Sequence, residues 1–160
     1  IVINLCNMKS TISIVLLLIC IGLKAQEVEK GIVKNTIDSF FIAFHNKDAV
    51  ALKKYAKPTM MLQSIGKDKE QVQRLTVSTY SDFVQSISNI SDDVSFEEKI
   101  LDYNIQIDGD MAHVWTPYEF WLNNVLHHCG VNSFQLFKKE DNWSIIYLVD
   151  TRRTTDCSSQ

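Results

Sequence analysis

The chain has 160 residues, of which 46% are hydrophobic and 22% are charged, and its formal net charge is −3 at pH 7. This length fits one globular domain and is too short for two domains with separate cores. Two prolines and five glycines argue against a low-complexity chain, and the lack of a basic stripe argues against nucleic acid as a partner.

The first 25 residues differ in composition from the rest of the chain. A basic start at Met8–Lys9 precedes an almost wholly apolar run over residues 12–21, and Ala25 ends the segment. This order is typical of a secretory signal peptide, and the apolar run is about half the length that spans a bilayer. We expect cleavage after Ala25 and export to the periplasm or the extracellular space. Residues 1–7 precede the first methionine and are expected to lie upstream of the true start.

Cleavage after this leader would also change the charge of the protein. Loss of Lys9 and Lys24 changes the net charge from −3 to −5, so an anionic membrane surface is a poor partner. Ile19 precedes Cys20, whereas a lipidated cysteine follows a small residue. We therefore expect no lipid and no membrane anchor once the leader is removed.

The mature chain begins with a helical pattern. Residues 28–45 carry apolar side chains at the spacing of one helix face. Asp48 is a suitable N-cap for a short second helix that runs through Tyr55. Pro58 is expected to end that helix, because proline cannot continue the hydrogen-bond ladder.

A short hairpin and a third helix follow. Residues 60–65 and 72–77 have the composition of two short strands. Thr79 and Asp82 fit a capping box, which predicts a helix that ends near Asn89.

The rest of the chain predicts strands. Four segments of strand-like polarity are separated by turn signals such as Asp108-Gly109-Asp110, and they cover residues 97–107, 111–122, 125–138 and 143–153. Three helices with a hairpin, followed by a four-strand meander, predict an α+β domain whose antiparallel sheet curves around the helices.

Several stretches resemble signature segments of the NTF2-like superfamily, and these are residues 108–115, 128–137, 143–146 and 148–153. The group with the greatest similarity is the secreted Bacteroidetes proteins labelled as the nuclear transport factor 2 family or proposed to bind lumazine. The resemblance implies a cone in which N-terminal helices pack on a strongly curved antiparallel sheet, with residues 26–160 as one domain. It also implies a pocket but no particular ligand, because this fold hosts isomerases, dehydratases, transport factors and binding proteins.

Asp150 and Arg152 are the first candidate site residues, because they follow directly after an apolar strand. Strand alternation puts both on one face and Arg153 on the other. Arg152 could bind an anion and Asp150 could act as an acid or a base at the mouth of the pocket. The alternative is an ion pair that closes the sheet edge or belongs to a dimer interface.

His128 and Asn132 share one face of a predicted strand. His128 could be a base in the pocket or a hydrogen-bonded structural histidine. No metal is expected at His127-His128-Cys129, because adjacent strand residues point to opposite faces. No cofactor motif is present in the sequence, so no cofactor is expected.

Tyr118 belongs to a strand rich in aromatic residues. The alternating set that contains Ala112, Val114, Thr116, Tyr118 and Phe120 is more apolar than its neighbours, so it is expected to face inward. Aromatic residues of this kind could stack on a ligand or pack in the core.

Cys129 and Cys157 are the cysteines that remain after removal of the leader. In an oxidising compartment we expect them to form a disulfide, and the alternative is two free thiols. If Lys138 pairs with Trp143, Cys129 lies opposite Arg152, so the C-terminal tail must fold back to form the bridge.

These residues support three hypotheses about function. The first is a secreted protein that binds a small organic molecule in its pocket. The second is an isomerase-like or dehydratase-like enzyme, with Asp150 or His128 as general base and Tyr118 or Arg152 polarising a carbonyl. The third is an interaction module that forms a homodimer through the outer sheet face, which exposed Trp115 and Trp121 would favour if both point outward.

Overall fold

The protein is described here from a computed structural model. The structure describes the backbone of residues 5–157 and the side chains of residue 24 and residues 26–157. Apart from Lys24, the predicted leader and Cys20 lie outside the residues whose side chains are described. Within that described part, no helix has both the length and the apolar character needed to cross a membrane.

Three helices precede most of the sheet, and they are α1 (Leu5–His45), α2 (Ala49–Tyr55) and α3 (Tyr80–Ser88). The predicted N-caps are present. The Asp48 carboxylate accepts hydrogen bonds from the first turn of α2, and the Thr79 hydroxyl accepts one from the backbone N–H of Asp82 in α3. Each cap satisfies backbone donors that have no partner within the helix.

Seven strands form one sheet, and they are β1 (Ala56–Lys67), β2 (Gln73–Thr79), β3 (Phe96–Ile100), β4 (Asn104–Asp108), β5 (Met111–Leu122), β6 (Val125–Lys139) and β7 (Asn142–Thr151). Their order is β2-β1-β7-β6-β5-β3, and β4 also pairs with β5. The β1–β7 pair is parallel and the other pairs are antiparallel. The architecture is therefore α+β as predicted, with a mixed sheet in place of a purely antiparallel one.

Prolines accompany two irregularities that the sequence did not predict. The helix α2 ends at Tyr55 as predicted, but Pro58 lies inside β1, where the register with β7 is irregular. The single strand predicted over residues 97–107 is divided into β3 and β4. The three residues between β3 and β4 lie opposite only Thr116 and Pro117 of β5. Proline lacks the N–H that a regular ladder needs, so both irregularities occur beside one.

The concave face of the sheet packs against α1 and α3. Phe40 and Phe41 of α1 lie 6.4 and 5.9 Å from Phe134 of β6, measured between ring centroids. The predicted inward set of β5 is largely confirmed, because Ala112, Val114, Thr116 and Tyr118 are buried and Phe120 is partly buried. Trp115 on the opposite face is 47% exposed.

Candidate functional site

A row of polar residues crosses five neighbouring strands on the concave face of the sheet. Thr76 pairs with Ser64, Ser64 with Asp150, Asp150 with Asn132, and Asn132 with Thr116. Residues that pair directly across strands project to the same face, so the row is continuous. We call these five residues the polar row.

Asp150 is the most heavily hydrogen-bonded member of this row. Its carboxylate accepts hydrogen bonds from the Ser64 hydroxyl and from Arg152 Nε, the latter at 2.7 Å. The Tyr118 hydroxyl lies 3.3 Å from Asp150 Oδ2 and 2.9 Å from the carbonyl oxygen of Thr151, so both acceptors compete for its hydrogen. Asp150 is buried, and these donors replace the water that an exposed carboxylate would bind.

Glu98 of β3 faces the same region. The amide Nδ2 of Asn132 donates a hydrogen bond of 2.6 Å to Glu98 Oε1. The pKa of Glu98 is raised to about 7, and burial is the main cause. The negative charge of Asp150 acts in the same direction, whereas the hydrogen bond from Asn132 and the positive charge of Arg152 act against it. Glu98 therefore changes its charge near neutral pH.

Glu98 is not among the residues predicted from the sequence, although the sequence contains a signal for it. Phe96, Glu98 and Ile100 alternate along β3, so the acidic side chain stands on the apolar face of its strand. An acid on the buried face of a strand normally needs a partner, and the amide of Asn132 is that partner here.

His128 is buried and stacks on Phe120 with 4.7 Å between ring centroids. Burial lowers its pKa to about 4, helped by the positive charge of Arg152 and by His127. At neutral pH the imidazole is consequently uncharged.

The expectation that His127 and His128 point to opposite faces was wrong. Phe120 pairs with His128 and Trp121 pairs with Leu126, so His127 is the extra residue of a β-bulge. A bulge interrupts strand alternation, and the two rings come together with 2.9 Å between their Nδ1 atoms. Among the residues that the structure describes, no group of three or more His, Cys, Asp or Glu side chains could hold a metal ion.

These residues border a cavity of about 700 Å³ between the sheet and the helices α1 and α3, which we call the inner cavity. Its wall contains six phenylalanines, Phe40, Phe41, Phe44, Phe83, Phe96 and Phe120. Four of the five predicted ligand-binding residues line it, namely His128, Asn132, Asp150 and Arg152. Tyr118 does not line it and lies behind Asp150 as a hydrogen-bond donor.

Cys129 and Cys157 form a disulfide with 5.4 Å between their Cα atoms. Across the sheet, the backbone of Cys129 pairs with that of Arg153 and not with that of Arg152. Lys138 pairs with Trp143 as expected, but a bulge shifts the register by one residue between Gln135 and Leu136. Because of this shift, the residue opposite Cys129 lies one position closer to Cys157 along the chain than the sequence predicted.

The chain is similar in fold to several solved structures. No protein-family model matches the chain, and no curated protein matches it. An NTF2-like protein from Cytophaga hutchinsonii is 15% identical, with 78% of this chain and 98% of that chain covered and a TM-score of 0.62.

Two further solved structures carry functional descriptions. A protein from Streptomyces avermitilis, proposed to be a dehydratase of the NTF2-like family, is 12% identical, with 80% of this chain and 98% of that chain covered and a TM-score of 0.62. The beta subunit of a proposed aromatic-ring-hydroxylating dioxygenase from Novosphingobium aromaticivorans is 9% identical, with 81% and 92% covered and a TM-score of 0.65. The chain therefore has the NTF2-like fold.

Proposed function

We propose that the protein binds a small, largely apolar organic molecule in the inner cavity. The observation that carries this proposal is the six-phenylalanine wall facing a polar end at Glu98 and Asn132. Small-molecule sites are commonly apolar pockets of about 300–1,000 Å³ with a few convergent polar groups. The apolar body of the ligand would contact the phenylalanines, and a hydroxyl, amine or carbonyl group would meet Glu98 and Asn132.

The neutral dye N-phenyl-1-naphthylamine tests this proposal, because its fluorescence rises in an apolar site. We expect saturable binding of one dye per chain. In Thr76→Trp, an indole at an exposed residue lining the inner cavity should weaken binding about tenfold or more. Val77→Trp is the matched control, because Val77 is the next residue on β2, is 52% exposed and projects to the opposite face. Non-saturable binding, or equal binding by both variants, would contradict the proposal.

Glu98 favours a second candidate function, which is general acid–base catalysis on the bound molecule. A catalytic carboxyl is most effective when its pKa lies near the working pH, and that of Glu98 is about 7. The bases expected from the sequence have weaker support. Asp150 is engaged by three donors, and the lowered pKa of His128 makes it a weak base.

Kemp elimination of 5-nitrobenzisoxazole tests Glu98 as a base without knowledge of the natural substrate. The Glu98 carboxylate would remove the C3 proton, the C–H electron pair would form the nitrile, and the N–O bond would break to release a coloured phenolate. We expect Glu98→Gln to lower the rate about 100-fold or more, and the rate of the unmodified protein to rise with pH around a midpoint of about 7. Glu97→Gln is the control, because Glu97 is exposed on the other face of β3. An unchanged rate in Glu98→Gln would reject this function.

We also propose that the protein is exported to the periplasm or the extracellular space. The Cys129–Cys157 disulfide supports it, because disulfides persist in oxidising compartments and are rare in the cytosol. Membership of the secreted Bacteroidetes group is supported only by the signature stretches of the sequence.

A homodimer through the outer sheet face has less support. Trp115 is exposed there, but the Trp121 ring is covered by Lys99, whose Nζ lies 4.2 Å from its centroid. Trp121 also donates a hydrogen bond of 3.0 Å to Glu119. These contacts leave a smaller apolar surface for a partner than the sequence suggests.

A further inference from the structure

A second cavity adjoins the inner cavity. It has a volume of about 680 Å³ and lies between the β1–β2 hairpin and the C-terminal residues 151–155, and we call it the outer cavity. Ser64, Thr76, His127, His128 and Arg152 line both cavities. One molecule could therefore occupy the two spaces at once.

The two cavities differ in chemical character. No phenylalanine lines the outer cavity, whereas four cationic residues do, namely Lys67, Arg74, Arg152 and Arg153. Asp68 is the one acidic residue among its described lining residues, and it pairs with Arg74 at 2.8 Å. Asp150 pairs with Arg152 from the inner side at 2.7 Å. An excess of positive charge thus surrounds the outer cavity in a chain whose net charge is negative.

Arg152 stands where the cavities meet, and its donors are only partly used. Its Nε donates to Asp150 and its Nη2 donates to Ser64 at 3.1 Å, whereas no hydrogen bond from Nη1 occurs among the described residues. The Arg152 side chain is 55% exposed, while that of Asp150 is 9% exposed. A guanidinium has five N–H donors and binds carboxylates well, so Arg152 can hold Asp150 and still accept an anion from outside.

From this arrangement we infer that the ligand is an amphipathic anion, such as an apolar carboxylic acid. Its apolar body lies in the inner cavity and its carboxylate lies in the outer cavity, near Lys67, Arg152 and Arg153. The inference rests on the proposed binding function and adds the class of ligand. His128 contributes no charge at neutral pH, because burial lowers its pKa to about 4.

Two probes with the same apolar body test the inference, namely 1-pyrenebutyric acid and 1-pyrenebutanol. Fluorescence titrations at low salt should give a dissociation constant about tenfold lower for the acid than for the alcohol. Raising the salt concentration should weaken binding of the acid and leave binding of the alcohol unchanged, because salt screens exposed charges.

Matched variants locate the anion site without altering the Asp150 network. Lys67→Gln, alone and with Arg153→Gln, should lower the preference for the acid about threefold or more and leave affinity for the alcohol unchanged. Lys69→Gln is the control, because Lys69 is an exposed lysine two residues away that does not line the outer cavity and carries the same charge. Melting temperatures of all variants show whether they are folded.

The outcomes separate the two claims. Equal affinity for both probes, or equal effects of Lys67→Gln and Lys69→Gln, overturns the inference and leaves the binding function standing. Binding of neither probe overturns the binding function, and the inference with it. A preference for the acid that Lys67→Gln reduces and Lys69→Gln preserves supports both.

Discussion

At the scale of single residues, Glu98 makes stability depend on pH. Its pKa rises from 4.5 to about 7 on folding, so the folded chain binds the proton more tightly than the unfolded chain. The contribution of Glu98 to the free energy of unfolding is fully present below pH 4.5 and is lost as the pH rises towards 7. Glu98→Gln keeps an acceptor for Asn132 and cannot ionise. We compare the free energy of unfolding of Glu98→Gln with that of the unmodified protein. Between pH 4.5 and 8, we expect the difference to change by about 3 kcal/mol in favour of the variant.

Urea unfolding at several pH values measures this difference. The lowered pKa of His128 acts in the opposite direction, with stability rising from about pH 4 to 6.5, but it contributes equally to both proteins and cancels. A constant difference for Glu98→Gln would mean that Glu98 is not desolvated in the folded chain.

Gly130 is the residue that allows Tyr118 to reach Thr151. A Cβ atom at Gly130 would lie 1.7 Å from the Thr151 carbonyl oxygen and 3.0 Å from the Tyr118 ring. Neither the Thr151 backbone in β7 nor the buried Tyr118 ring can move away to make room for this atom. We expect Gly130→Ala to lower the free energy of unfolding by about 3 kcal/mol or more.

Gly31 supplies the control for this substitution. Beyond the backbone of its own helix, a Cβ at Gly31 meets no atom of the described residues within 4 Å, and Gly31 lies inside α1. Gly31→Ala should therefore raise stability by about 0.5–1 kcal/mol, as helix propensity requires. Similar melting temperatures for Gly130→Ala and the unmodified protein would show that β6 and β7 are farther apart than described.

At the scale of elements, the sequence predicts helices and turns well because their signals are local. Asp48 and Thr79 cap helices through their own side chains, and Gly109 adopts φ of 57° in the predicted hairpin turn. Bulges carry no comparable signal, because they depend on which residues the neighbouring strand offers. The bulge at His127 and the register shift after Gln135 therefore could not be predicted, and each changes which residues face one another.

The tail after β7 is held to β6 by one covalent bond and one pair of backbone hydrogen bonds. Cys129 and Arg153 exchange two hydrogen bonds of 2.9 Å, and the disulfide closes a loop with a sequence separation of 28. In the chain-entropy description such a loop contributes about 3–4 kcal/mol. We expect Cys157→Ser to lower the free energy of unfolding by up to this amount in urea without reductant. Equal unfolding midpoints would show that the tail adds nothing to stability.

At the scale of the whole molecule, architecture follows from element order, whereas the site depends on strand register. Asp150 is a candidate from sequence because it follows directly after an apolar strand, and Asn132 because it shares a strand face with His128. Ser64 and Thr76 lie more than 70 residues away from Asp150 along the chain, and only the β1–β2 and β1–β7 registers bring them beside it. The polar row is thus a property of the folded sheet.

Export makes a prediction for the molecule as its host produces it. The secreted chain should begin at Gln26, and a non-reduced digest should contain a peptide pair joined through Cys129 and Cys157. Removal of the leader and oxidation of the pair both require passage into an oxidising compartment. A retained leader, a lipid on Cys20, or full alkylation of both thiols in denatured, non-reduced protein would reject this prediction.

The central claim is that the inner cavity is the binding site, and a crystal structure with N-phenyl-1-naphthylamine tests it most directly. We predict density for the naphthyl ring in the inner cavity, against its phenylalanine wall, with the amine group turned towards Glu98. In Thr76→Trp crystals the indole should occupy the cavity mouth and the dye should be absent. A dye bound only on the outer sheet face, with the cavity filled by side chains, would contradict the claim.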